Sequence, residues 1–274
     1  MTRSPHRPAS ARALTFTILA EYLRDPETRL WSHTLFSALG AMGVAESSAR
    51  RAVARVAAAG WIESERSGRE VRWKATPAAV KLFSEARDEV YVHRRNPPAW
   101  DGKFLILSTT VSENQRPTRH TLRTKLRWLG FGALGRGIWI SPRPDATRRV
   151  AAVLEELNLS ENVISFVGTV GPLGSDYEVV HEAWDINGLS RQYQAFLLEL
   201  ESFTPPATAE QSFEVLTSLV HRWRNFLLVD PDLPRELLPA GWPGHTARDQ
   251  FYTLHDALFS TAAQWLEGLN QDRD

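Results

Sequence analysis

Residues 46–77 read ESSARRAVARVAAAGWIESERSGREVRWKATP, and the period of their apolar positions changes once along the way. Over 46–59 it is helical: at 100° per residue Ala49, Ala52, Val53 and Val56 share one face, Ser47, Arg51 and Ala58 point away, and Ser48, Arg50 and Arg55 flank. Gly60 supplies the left-handed residue that ends such a helix. Trp61 to Arg66 and Glu70 to Ala75 then alternate around Ser67-Gly68, which predicts a short hairpin. Thr76-Pro77 provides an N-cap and a first-turn proline for a further helix to about Arg94. Upstream, Ala13 to Leu23 carries a Leu14, Ile18, Tyr22 stripe that stops at Asp25-Pro26, and Ser32 to Met42 stops at Gly43. Three helices followed by a hairpin are the order of a winged helix-turn-helix.

A recognition helix must bury one face and offer donors to phosphates and base edges with the other. The third helix does so with Ser47, Ser48, Arg50, Arg51 and Arg55, and the hairpin adds Arg69 and Arg72, with Arg66, as a basic wing. A basic arm, Met1 to Arg12, precedes them. Ser47, Ser48, Arg50, Arg51, Arg55, Arg69 and Arg72 are the predicted DNA contacts. The alternative is a winged-helix adaptor that docks on a protein through solvated arginines.

Beyond Asn96-Pro97-Pro98, a linker, the reading is strand Phe104 to Val111, helix Thr118 to Leu129, strand Ile138 to Ser141, helix Asp145 to Leu157, and strands Val163 to Val170 and Glu178 to Trp184. Strands alternating with helices favour a ferredoxin-like α/β sandwich. Gly130-Phe131-Gly132-Ala133-Leu134-Gly135 matches GxGxxG, but that fingerprint needs a strand before it and a helix after it; here the order is reversed, so it reads as a helix cap and strand-entry turn. The last segment predicts helices at Leu189 to Phe203, Ala209 to Leu228 and Thr246 to Leu269. A proline-rich loop, 230–244, either caps a helix pair or walls a ligand cavity with Trp184, Trp223 and Trp242.

With 274 residues, 43% of them apolar, and no cysteine, the chain is an ordinary globular protein without thiol chemistry or disulfides; a cytoplasmic location is expected. The uncharged run Asn162 to Ser175 is too short to span a membrane and is broken by glycine and proline. Net charge is zero overall but +6 over residues 1–95, +2 over 96–180 and −8 over 181–274, which puts the polyanion-binding end first. The fold class is therefore α+β multidomain, with a winged helix-turn-helix at 1–95, the sandwich at 96–180 and a helical effector and dimerisation domain at 181–274.

The order of these modules, the Gly130-Phe131-Gly132 to Gly137-Ile138-Trp139-Ile140-Ser141-Pro142 stretch, Trp184-Asp185, and the Asp230-Pro231-Asp232-Leu233-Pro234, Glu236-Leu237-Leu238-Pro239 and Trp242-Pro243-Gly244 string together resemble the PaaX family, repressors of phenylacetic acid catabolism. The resemblance implies a central Cas2-like domain and a homodimer that binds a palindromic operator and leaves it when phenylacetyl-CoA binds. A Cas2-like nuclease carries an acidic metal ligand at the end of its first strand, but here Ser108-Thr109-Thr110 offer only hydroxyls. No HExxH, GxSxG or P-loop occurs, so neither catalysis, a metal nor a cofactor is expected. A CoA thioester needs cations for its phosphates and an aromatic slot for its acyl group, which selects His221, Arg222, Trp223 and Arg224 with Trp184 and Trp242 as effector candidates; the competing reading pairs these arginines with Asp230, Asp232 or Glu236. The Phe251, Leu254, Leu258, Ala262, Trp265 stripe is expected to pack across the dimer.

Overall fold

The computed structural model describes residues 10–88, 90–91, 95, 99–135 and 137–271; most of the basic arm, the end of the fourth helix and the 96–98 linker lie outside them. The chain divides into two compact units, one comprising Met1–Arg95, Phe203–Arg224 and Asp249–Asp274, the other Asn96–Ser202 and Asn225–Arg248. The 181–274 segment is thus shared between the units and does not stand as a third body.

The first unit contains the winged helix. Helices α1 (Ala11–Tyr22), α2 (Ser32–Ala41) and α3 (Glu46–Ala58) are followed by β2 (Ile62–Ser67), β3 (Glu70–Ala75) and α4 (Pro77–Asp88). The hairpin turns at Gly68, and its partner rows run from Ile62↔Ala75 to Ser67↔Glu70. A two-residue strand, β1 (Leu30–Trp31), pairs with β3 and completes a three-stranded sheet ordered β1-β3-β2. Leu14, Ile18, Leu35, Leu39, Ala49, Val53, Val56, Ile62 and Phe83 are buried together in this module.

The unit is completed by the C-terminal helices. From α9 (Ala209–Val229) and α10 (Pro243–Gln271) it takes residues 209–224 and 249–271. Tyr22 of α1 packs against Phe213 and Phe259, and Trp223 stacks on Phe251 with centroids 4.5 Å apart. Phe251, Leu258 and Ala262 are buried within the chain and Trp265 rests on Phe213. The α10 stripe expected to pack across a dimer is therefore consumed inside its own protomer.

The second unit holds β4 (Phe104–Thr109), α5 (Arg116–Trp128), β5 (Gly132–Ala133), β6 (Ile138–Ser141), α6 (Thr147–Glu156) and β7 (Val163–Gly168). The antiparallel sheet is ordered β5-β6-β4-β7, so the first strand is central, the third lies beside it, and the second and fourth form the edges, as in a ferredoxin-like sandwich. Leu105, Leu107, Leu122, Leu126, Trp139, Val150 and Leu154 form its core under α5 and α6. The strand expected at Glu178 to Trp184 is instead a helix, α7 (Asp176–Ala183), and the sheet reaches four strands through β5, where the sequence predicts a turn. Ser175 decides this: its hydroxyl accepts the Glu178 amide and the Glu178 carboxylate accepts the Ser175 amide, a capping box that fixes a helix start whatever the β preference of Val179 and Val180.

After α8 (Ile186–Glu201), the proline-rich loop closes onto this sandwich. Asp232, held at a positive φ of 52°, is buried and accepts from Arg143, just beyond β6, and from Arg248 at 2.7 Å. Asp230 accepts from the Tyr193 hydroxyl of α8 and, at 2.7 Å, from the Asp232 amide. A Cβ on Gly130 would come 3.2 Å from the Pro231 carbonyl oxygen, and one on Gly132 would lie 2.6 Å from both Ala183 and the Trp184 ring. The GxGxxG stretch thus serves close packing: Gly130 ends α5 at a positive φ and Gly132 makes room for Trp184. Among the described residues no helix is long and apolar enough to cross a membrane, and no group of His, Asp and Glu could hold a metal ion.

Candidate nucleic-acid interface

Helix α3 buries Ala49, Ala52, Val53 and Val56 and exposes Ser47, Arg50, Arg51, Ala54, Arg55 and Ala58, with Ser48 half-buried. The outward surface resolves into strips. Ser47, Ala54 and Ala58 form a strip of small side chains, which permits a helix to approach a DNA groove closely. On one flank the Arg50 guanidinium lies 4.7 Å from the Phe36 ring centre of α2 and donates from Nε to Glu46 at 3.0 Å. On the other flank Arg51 donates to the Ser48 hydroxyl at 3.0 Å. Ser48, Arg51, Ala52 and Arg55 there form one wall of a groove of about 380 Å³, whose other wall is Ser10, Ala11 and Arg12 at the start of α1. Among the described residues none of Arg12, Arg51 and Arg55 forms an ion pair.

The wing residues differ from one another. Arg66 and Arg69 are exposed on the hairpin. Arg72 is half-buried, its guanidinium 3.9 Å from the Trp31 ring centre across the β1–β3 pair. That stacking anchors β1 to the sheet and leaves Arg69 as the outermost wing cation. Arg12 escaped the sequence reading because a basic arm shows no periodicity that says which of its cations faces α3; Ser10 as N-cap of α1, accepting the Ala13 amide at 3.2 Å, was the usable signal.

The effector candidates fall into two sets. His221, Arg222, Trp223 and Arg224 belong to the first unit and Trp184 and Trp242 to the second. His221 Nδ1 lies 3.0 Å from the Thr17 hydroxyl of α1, and the Arg224 guanidinium lies 5.0 Å from the Phe16 ring centre. Burial lowers the pKa of His221, and the nearby Arg224 charge adds to that; burial likewise lowers Arg224. Within the second unit Asp232 bonds to Arg143 and Arg248, and Asp230 accepts from Tyr193. In the second unit Trp242 is buried edge-on to Tyr193, and Trp184 packs on Gly132 with its buried Nε1–H lacking an acceptor among the described residues.

One further cluster joins α1 to α10. Glu21 is buried and accepts from His255 Nε2 at 3.0 Å, from the Tyr91 hydroxyl at 2.9 Å and from Arg24 at 2.9 Å. Burial by itself would raise its pKa; the hydrogen bond and charge of His255, with Arg24 and Tyr91, outweigh that and hold it below the ordinary 4.5.

Residues 10–77 match the family described as PaaX-like protein, 97–180 the PaaX protein central Cas2-like domain, and 184–268 the PaaX-like protein C-terminal domain. The Transcriptional repressor PaaX of Escherichia coli (strain K12) is 31% identical over 267 residues, which covers 93% of this chain and 82% of that protein. Among solved structures, the uncharacterized protein Rv0674 from Mycobacterium tuberculosis superposes with a TM-score of 0.63 over 95% of this chain and 98% of that one at 24% identity, a likeness of fold. Three consecutive domain matches in the expected order, with a relative similar along almost the whole length, establish that this chain belongs to the PaaX family.

Proposed function

We propose that this protein is a DNA-binding transcriptional repressor of an aromatic, phenylacetate-type catabolic operon, acting as a cytoplasmic homodimer on a palindromic operator and released by an aryl-CoA thioester such as phenylacetyl-CoA. The observation that carries the DNA-binding part is the face of α3: a small central strip flanked by cations, three of which, counting Arg12, have no ion-pair partner among the described residues. Similarity to a protein named a transcriptional repressor supports the regulatory part. The hydroxyl-ended β4 supports a regulator without catalysis, since the position where a nuclease would need a metal-binding acid has none.

Release requires the thioester to bind the DNA-free state more tightly than the DNA-bound one, because equal affinity for both shifts nothing. Within the first unit, the half-buried Arg224 supplies a cation that suits a phosphate of such a ligand. A gel shift on the promoter of the neighbouring genes, with phenylacetyl-CoA and free phenylacetate as parallel additions, tests the whole reading. Retardation relieved by the thioester alone is expected; no retardation of any promoter fragment would defeat it. Calorimetry with the thioester on Arg224→Ala then reports whether that residue touches the ligand.

A further inference from the structure

The groove between the start of α1 and the outward flank of α3 concentrates positive charge from two different helices. Arg12 stands on one wall and Arg51 and Arg55 on the other, with the hydroxyls of Ser10 and Ser48 between them and no carboxylate among the lining residues. The Arg51–Ser48 hydrogen bond orients that guanidinium along the wall. Like charges gathered without a counter-charge repel one another, and a bound anion relieves that repulsion. The opposite flank of α3 is arranged differently, because Arg50 there is already paired with Glu46 and stacked on Phe36.

We infer that this groove is a backbone clamp that receives a phosphodiester of the DNA, with Arg12, outside the recognition helix, as a binding residue beside Arg51 and Arg55. The inference rests on the DNA-binding reading above and adds a division of labour to it. Arg12, Arg51 and Arg55 supply sequence-independent affinity and set the depth of α3 in the major groove; Ser47 and Arg50, on the central strip and far flank, are left to read bases. The clamp spans α1 and α3, so it forms only where the two helices are packed in register, and it therefore reports their packing to the DNA.

The test is fluorescence anisotropy of the full-length protein on an operator fragment and on a scrambled duplex of equal length, each over a salt series, with Arg12→Gln and Arg12→Lys. Arg12→Gln is expected to weaken binding several-fold on both duplexes and to reduce the slope of log K against log salt by about 0.9, the release of one counterion equivalent; the operator preference stays unchanged. Arg12→Lys, which keeps the charge, is expected to keep the slope. Wild-type affinity and slope in Arg12→Gln would overturn the clamp while leaving DNA binding intact, and a loss confined to the operator would overturn it by showing that Arg12 reads bases. Failure of the wild type to bind either duplex would overturn the DNA reading and the clamp with it.

Discussion

Arg69 and Arg72 stand three positions apart in one hairpin and look alike in a sequence, but the structure gives them different surroundings. Arg72 lies on Trp31 and Arg69 projects from the turn. Arg69→Ala is expected to lower affinity for operator and random DNA equally with unfolding unchanged; Arg72→Ala is expected to cost about 0.5–1 kcal/mol of stability as well, through the lost cation–π contact. Urea denaturation alongside anisotropy separates the two, and equal stability of both variants would refute the anchoring role. Asp232 shows the same principle inside the second unit. One buried carboxylate holds Arg143 and Arg248, so Asp232→Asn leaves two guanidiniums without their counter-charge and is expected to destabilise by about 3 kcal/mol, somewhat less if Arg143 turns outward to water. A thermal shift of only a degree or so in that variant would contradict the bracing role. Which side chains of α3 face outward was legible from helical period alone; which arginine is stacked on an aromatic ring was not, because Trp31 belongs to a strand too short to announce itself.

At the scale of elements, the long periodic helices and the hairpin were readable to within a few residues, since each carries its own repeat and stop signal. The failures were short or locally ambiguous. β1 and β5 are two residues each and exist only because β3 and β6 present open edges to them. The Val179-Val180 pair outweighed a Ser175 to Glu178 capping box that was present in the sequence; Ser175→Ala, which removes the acceptor of the Glu178 amide, is expected to cost about 1 kcal/mol. The junction of α1 and α10 carries a pH dependence of definite sign. The Glu21 carboxyl ionises below its ordinary 4.5 in the folded protein, so its network stabilises fully above that value and the contribution is lost as pH falls through the native pKa. Denaturation midpoints measured from pH 7 to 3.5 are expected to fall more steeply for the wild type than for Glu21→Gln at the acid end. Parallel acid limbs would exclude Glu21 as a contributor.

At the scale of the whole molecule, Phe203–Arg224 and Asp249–Asp274 of the last segment cluster with the winged helix, and the contacts responsible are visible on α1. A surface helix of a free-standing winged helix keeps one polar face, whereas the second half of α1 is buried on nearly every side: Thr15, Thr17 and Glu21 are as inaccessible as Leu14, Ile18 and Leu19. Two of these buried polar residues find partners on α9 and α10, Thr17 in His221 and Glu21 in His255. Helix α1 runs about 14 Å from Arg12 at the groove to the Glu21 junction, so the C-terminal helices grip one end of an element whose other end lines the proposed DNA face. The consequence is that residues 1–95 expressed alone retain the core of the winged helix but lose the C-terminal partners of Tyr22 and Thr17 and the His255 partner of Glu21. That fragment is expected to unfold at a clearly lower temperature than the full chain and to show fast amide exchange in α1 while α3 and the hairpin stay protected. It is also expected to bind DNA more weakly with a reduced salt slope, because a loosened α1 no longer holds Arg12 against α3. A fragment as stable as the intact protein, with α1 equally protected, would mean that the C-terminal helices merely lie on the DNA-binding module without bracing it.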